Sequence, residues 1–229
     1  MPSIITWLDV SPEEQRRMRE LAALFDLRES RDELGIGQLR DSIGDALFPG
    51  TSTLHTRARY LLFVPWCFQL AGRHQPDKQT QALKDIELAL IEPLRRSDDP
   101  AGLLGERAGA NLQTRPSSSY WSMLQRYGIL TQTMSRSEAL AASRSRAATN
   151  DDGQTTRTSI WSVPEQPEGF PHDIPNGFAL TREESGWLRD RILAAAPGSL
   201  LAHLMREQPD ADSATPWSDS AARHAPAPA

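Results

Sequence analysis

The sequence predicts a mainly α-helical fold: a multi-helix globular domain, an irregular Pro/Gly-rich arm and a short helical C-terminal segment. Three observations carry this reading. Helix start signals recur: Ser11-Pro12-Glu13-Glu14 and Thr181-Arg182-Glu183-Glu184 each set a hydroxyl three residues ahead of a glutamate, the reciprocal arrangement that satisfies two orphan backbone donors. Apolar residues then repeat at helical spacing. Alternating strand patterns are almost absent, with 4–8 and 159–163 the two short candidates.

The elements follow in order. Behind Ser11, with Pro12 at the first helical position, the residues Glu14, Met18, Leu21, Ala22 and Phe25 keep helical spacing. Ile36, Leu39, Ile43, Ala46 and Leu47 form a second stripe, which Pro49-Gly50 breaks. Thr51, Ser52 or Thr53 then caps a third helix over 54–70. Past Tyr60 that helix is apolar on nearly all sides, the mark of a central, buried helix. Pro65 is expected to kink or interrupt it. A fourth helix spans 79–92 and ends or kinks at Pro93. Asp98 or Asp99 caps a short helix running through Leu103 and Leu112.

Ser117 to Ser119 precede Tyr120, Trp121, Leu124 and Tyr127, with Gly128 as a C-terminal stop. A weak helix is expected over 135–146. The Pro-, Gly- and polar-rich stretch 149–176 reads as a long irregular connection. Thr181 opens a helix with Leu188, Ile192 and Ala195 inward; Pro197-Gly198 stops it, and Ser199 caps a short helix through Leu204. From Pro209 on, Asp, Ser, Ala and Pro dominate, which predicts disorder. The expected organisation is a core domain over 4–146, a connection over 147–178, a helical segment over 179–208 and a tail over 209–229.

Composition narrows the function. The net charge of −5 argues against coating nucleic acid through bulk charge. The single cysteine, Cys67, excludes an internal disulfide framework and sits in an apolar run that reads as core. No apolar run approaches the ~20 residues of a membrane helix, and the N-terminus lacks the pattern of a secretory signal. A cytoplasmic protein with no membrane partner is expected.

One local feature reverses the overall sign. Between Ala46 and Pro76 there is no carboxylate, while Arg57, Arg59, Arg73, His55 and His74 are present. The turn Thr51-Ser52-Thr53, read as the start of a helix, offers hydroxyls, amides and a positive helix end, with Arg57 one turn in; that is physically an anion site. Thr51, Ser52, Thr53, Arg57 and Arg59 are therefore the candidate contacts for nucleic acid or another anion. The other reading is an ordinary cap, with the arginines paired to acids that orient the helices; Asp32 and Asp45 are the expected partners. On a helix Arg57 and Arg59 lie about 200° apart, so one should face inward.

Other motifs are weaker. Gly35-Ile36-Gly37 lacks the third glycine and the preceding strand of a dinucleotide loop and reads as a tight turn. Six arginines between Arg107 and Arg146, with Tyr120, Trp121 and Tyr127 interleaved, suit either a basic-aromatic nucleic-acid surface or a solvated face over buried aromatics, the latter preferred. The five histidines show no metal-ligand spacing. No metal site, no cofactor and no catalytic constellation is expected.

The blocks Arg31 to Asp41 and Leu47 to Trp66, with Pro116 to Trp121 and Pro197 to Leu204, resemble the bacterial family "domain of unknown function 6361". The resemblance runs from about Trp7 to Trp217. It implies an accessory protein of DNA-handling or phage-defence gene clusters. Family members are longer, which implies that this chain corresponds to an N-terminal portion, a natural truncation or a frameshifted end.

The function expected is thus a non-enzymatic accessory or adaptor subunit that contacts a protein partner, with DNA as a further contact. The alternative is a nucleic-acid-processing enzyme whose catalytic residues lie partly in C-terminal sequence beyond this chain. Open polar groups around Thr51, Ser52, Arg57 and Asp32 would favour a site; closed ion pairs there would favour a scaffold.

Overall fold

The computed structural model describes residues 36–143, 147–149, 155–157, 159–207, 215 and 218–225. The fold is mainly helical. The chain divides into two compact units, Met1–Ile43 and Gly44–Ala229. The expected helix behind Ser11 and the candidate strand at 4–8 lie outside the described residues.

Helix α1, Ile36–Leu47, buries none of its residues. Its expected apolar stripe is real in spacing but open to solvent: Ile36, Leu39 and Ile43 are 63%, 61% and 52% exposed. Ile36 and Gly37 belong to the first turn of this helix, so the tight turn expected at Gly35-Ile36-Gly37 is corrected; Gly35 itself lies outside the described residues. The helix stops as expected, with Gly50 at a positive φ of 73°, a conformation glycine reaches without steric cost. Asp45 Oδ1 accepts the Gly50 amide at 2.9 Å and fixes that turn.

Helix α2, Tyr60–Ala71, is the core of the second unit. Ten of its twelve residues are buried, which matches its apolar sequence on every face. It is not interrupted at Pro65. It starts later than the sequence predicts, because residues 51–59 are irregular. The amides that an earlier start would enlist are engaged elsewhere: those of Thr56 and Arg57 donate to the Tyr120 hydroxyl at 2.8 and 3.0 Å.

Around α2 stand α3, Gln79–Ala89, and α4, Ile91–Arg95, which are separated at Leu90 rather than at Pro93. The helix expected through Leu103 and Leu112 is reduced to turns and one 3-10 turn at Gly109–Asn111. Helices α5, Pro116–Ser119, and α6, Trp121–Arg126, follow, and Gly128 ends them at a φ of 61°. Helix α7, Arg136–Ala142, carries a full capping box between Ser135 and Glu138. A minimal antiparallel pairing, β1 (Ala147–Thr149) with β2 (Thr155–Arg157), interrupts the expected irregular connection. At the candidate strand 159–163 only an isolated bridge forms, Trp161 to Leu130.

The rest of that connection is irregular but not peripheral. Trp161, Phe170, Ile174 and Phe178 are buried in the same cluster as α2. Trp66 Nε1 donates to the Pro164 carbonyl at 2.8 Å, and Phe170 stands edge-on to Trp66 at 5.3 Å. Helix α8, Arg182–Ala195, opens at the Thr181 capping box as expected and buries Leu188 and Ile192 in that cluster. The core therefore extends beyond residue 146, through the arm and into the C-terminal segment. Helix α9, Leu200–Glu207, starts at Ser199, whose hydroxyl accepts the Ala202 amide. The expected disordered tail is corrected in part. Residues Ser220–Arg223 form a short helix, α10, packed on α9, with Asp219 1% exposed.

Candidate functional site

Thr51, Ser52 and Thr53 are exposed, as an anion site would require. The rest of that requirement is not met by their surroundings. No helix begins at this turn, so no helix dipole aims at it. The Thr51 hydroxyl donates to Phe48 O at 2.8 Å, and its amide donates to the same carbonyl at 3.1 Å. The Ser52 amide donates to His55 Nδ1 at 3.0 Å, and the Ser52 hydroxyl accepts the Leu54 amide. His55 closes the turn onto the body: with Nδ1 accepting, Nε2 is left to donate to Ser119 O at 2.8 Å.

The two arginines diverge, as their spacing suggests, though from an irregular segment rather than a helix. Arg57 Nη2 pairs with Asp99 Oδ2 at 2.6 Å, and Arg57 Nε donates to Ala101 O at 2.6 Å. Its guanidinium lies 5.5 Å from the centre of the Phe178 ring, within cation–π range. The hydrogen bond from Arg57, aided by the Ala101 amide, holds the Asp99 carboxyl below its usual range. Arg59 instead enters the core and is 2% exposed. It donates from Nη1 to Pro175 O and Gly177 O, and from Nη2 to Glu184 Oε1 at 2.9 Å. Its Nε has no hydrogen-bond partner.

The partners are thus Asp99 and Glu184, and not the expected Asp32 and Asp45. Asp45 serves the Gly50 amide, and Asp32 lies outside the described residues. Thr51, Ser52 and Thr53 do not join Arg57 or Arg59 in one polar cluster: Thr51 bonds to Phe48, Ser52 to His55 and Leu54, and the two arginines to Asp99 and Glu184.

Two residues organise this region without having been singled out for it. Tyr120 receives the Thr56 and Arg57 amides and donates to Arg57 O at 2.9 Å, tying an irregular strap to the body. Its ring lies 4.6 Å from His55 and 5.2 Å from Tyr60. Glu87, on α3, is 2% exposed and accepts the Ser117 amide at 2.8 Å, capping α5 from a distant helix. Burial pushes its carboxyl above the usual range, and hydrogen bonds from Ser117 together with the charges of Arg115 and Arg136 partly offset that. No local sequence pattern marks either role, since the partners lie 63 and 30 residues away.

In the block from Arg107 to Arg146, of which residues up to 143 are described, the aromatic residues are packed. Tyr120 and Tyr127 are 1% exposed, and Trp121 stacks against Phe68 and Trp161. These rings are core and do not present open faces to bases. Arg136 bonds to Ser118 Oγ.

Elsewhere the chemistry is sparse. Among the described residues no group of three His, Cys, Asp or Glu side chains is placed to hold a metal ion. Burial raises the Cys67 thiol well above its usual range, which leaves it protonated and unreactive. A cleft of about 300 Å³ lies between the end of α4 and the 172–177 loop, away from the Thr51 turn. Among the described residues no helix is long and apolar enough to cross a membrane.

The protein is mainly helical, and within its most basic stretch His55, Arg57 and Arg59 are internal tethers while Arg73 and His74 are exposed. The chain belongs to the family of unknown function DUF6361, whose model matches residues 2–225. No curated protein and no solved structure matches it.

Proposed function

We propose that this chain is a non-enzymatic accessory or adaptor subunit that works by contacting another protein. The observation that carries this reading is the face of α1, where Ile36, Leu39 and Ile43 stand more than half exposed on one side of a helix. Large apolar residues aligned in this way mark interaction surfaces, whereas singly scattered ones do not. The closed ion pairs of Arg57 and Arg59 support the same reading, because they leave no convergent, unengaged polar groups at the sequence's best candidate site. The system in which such a subunit would serve, bacterial DNA handling or phage defence, is part of the same proposal.

Affinity capture from the native host tests the reading, with bound proteins and nucleic acid both identified. Wild type should retain a defined protein partner, and Leu39→Glu should lose it while keeping its fold. Equal capture by both would remove the basis for the proposal.

A further inference from the structure

His55 is bonded so that a single proton changes one of its contacts and spares the other. Nδ1 accepts the Ser52 amide at 3.0 Å, and Nε2 lies 2.8 Å from Ser119 O. An amide N–H only donates and a carbonyl only accepts, so the ring is neutral with its hydrogen on Nε2. The two bonds serve different partners. The first closes the turn, together with the His55 amide, which donates back to Ser52 O at 3.0 Å. The second ties the ring to the end of α5, where it lies against Tyr120 with ring centres 4.6 Å apart.

Protonation places a hydrogen on Nδ1. That atom then faces the Ser52 N–H as a second donor, and the bond is lost. The Nε2–H bond to Ser119 O becomes charge-assisted and strengthens. The ring therefore keeps its hold on the body while letting the turn go.

The titratable and charged groups on the elements packed about this turn leave that chemistry to His55. Burial holds the Tyr120 phenol above its usual range, so it stays neutral. Among the described residues no carboxylate pairs with the imidazole: Asp45 bonds to the Gly50 amide, and Asp99 pairs with Arg57. Arg126 packs on Gly50 and Arg136 bonds to Ser118, and both keep their charge. Glu87, which accepts the Ser117 amide at the other end of α5, is the remaining acid to separate by experiment.

We infer that His55 is a proton-operated latch on the Ser52–His55 turn, closed while the imidazole is neutral and released on the turn side alone when it is charged. The exposed Thr51–Thr53 segment then gains freedom without loss of the strap behind it, because Tyr120 still holds the Thr56 and Arg57 amides at 2.8 and 3.0 Å. The device is independent of the α1 interface.

Nitrogen NMR of the full chain tests this across the range of about pH 8 to about pH 5 in which histidine ordinarily changes charge. At the upper end His55 should carry its hydrogen on Nε2, with a nitrogen–nitrogen coupling across the Ser52 bond. At the lower end both ring nitrogens should carry hydrogen and that coupling should vanish. Ser52 amide exchange, corrected for its intrinsic pH dependence, should then rise about fivefold. Exchange at Thr56 and Arg57 should stay constant. Glu87→Gln should leave the response intact and His55→Gln should remove it; the reverse pattern overturns the inference. Where a variant fails to fold, the wild-type midpoints decide: the ring nitrogens and the Ser52 amide must titrate together, and separate midpoints overturn the latch. So does an Nδ1–H tautomer at the upper end, a ring still neutral at the lower end, an unchanged Ser52 amide beside a charged ring, or a release that spreads to Thr56 and Arg57.

Discussion

Arg59 and Glu184 form a buried ion pair at 2.9 Å that joins the entry of α2 to the first turn of α8 across 125 residues of chain. Glu184 serves both sides at once. Its Oε1 accepts Arg59, and its Oε2 accepts the Thr181 amide at 2.8 Å to complete the capping box. Arg59 in turn holds the carbonyls of Pro175 and Gly177. One guanidinium thereby fixes a helix start, an irregular strap and a second helix. Arg59→Met should destabilise the protein by ~3–5 kcal/mol in urea unfolding, because it leaves Glu184 buried without its counter-charge.

Arg57→Ala should behave differently. Asp99 is largely exposed, with 63% of its side chain accessible, so its loss of a partner strands no buried charge. The variant should fold, with a melting temperature close to wild type. Since Arg57 is already neutralised by Asp99, the salt dependence of any DNA binding should also be unchanged. A slope reduced by about one phosphate contact, ~0.9 in log K against log salt, would restore Arg57 to the nucleic-acid reading.

Tyr120→Phe removes one hydroxyl that serves three backbone groups of the Thr56–Arg57 strap. Two amides lose their partner, while the Arg57 carbonyl keeps the Tyr60 amide at 3.3 Å. A loss of about 1–3 kcal/mol is expected from chemical denaturation, with amide exchange accelerated first at Thr56 and Arg57.

Glu87 predicts a pH dependence. Its folded carboxyl is raised above the ordinary value of 4.5, so the native state holds a proton that the unfolded chain has released. Its favourable contribution is fully present below the unfolded value and is lost as pH rises through the folded one. Asp99 and Glu138, whose carboxyls are lowered, act in the opposite sense, and their contributions are lost as pH falls. Comparison with Glu87→Gln, which keeps an acceptor for the Ser117 amide, isolates the first effect. The stability of the variant relative to wild type should increase as pH rises from 4 through the window above ~4.5.

Residue patterns within a few positions of one another were enough to determine much of this fold. The Thr181 capping box, the Gly128 stop, the Pro49-Gly50 break and the burial of 60–68 all follow from backbone donors, allowed φ and apolar period. The amphipathic spacing of Ile36, Leu39 and Ile43 was equally legible. Only the tertiary structure decided that this stripe stays exposed, that the Pro-rich arm enters the core through Trp161, Phe170 and Phe178, and that α2 waits until Tyr60 to begin. It alone assigned Asp99 and Glu184 to the arginines. Capping, breaking and periodicity act over one or two turns and leave a local mark. Ion pairs and hydroxyl tethers act through space between segments 42 to 125 residues apart, where side-chain type says that a partner is needed but only the packed chain brings one near.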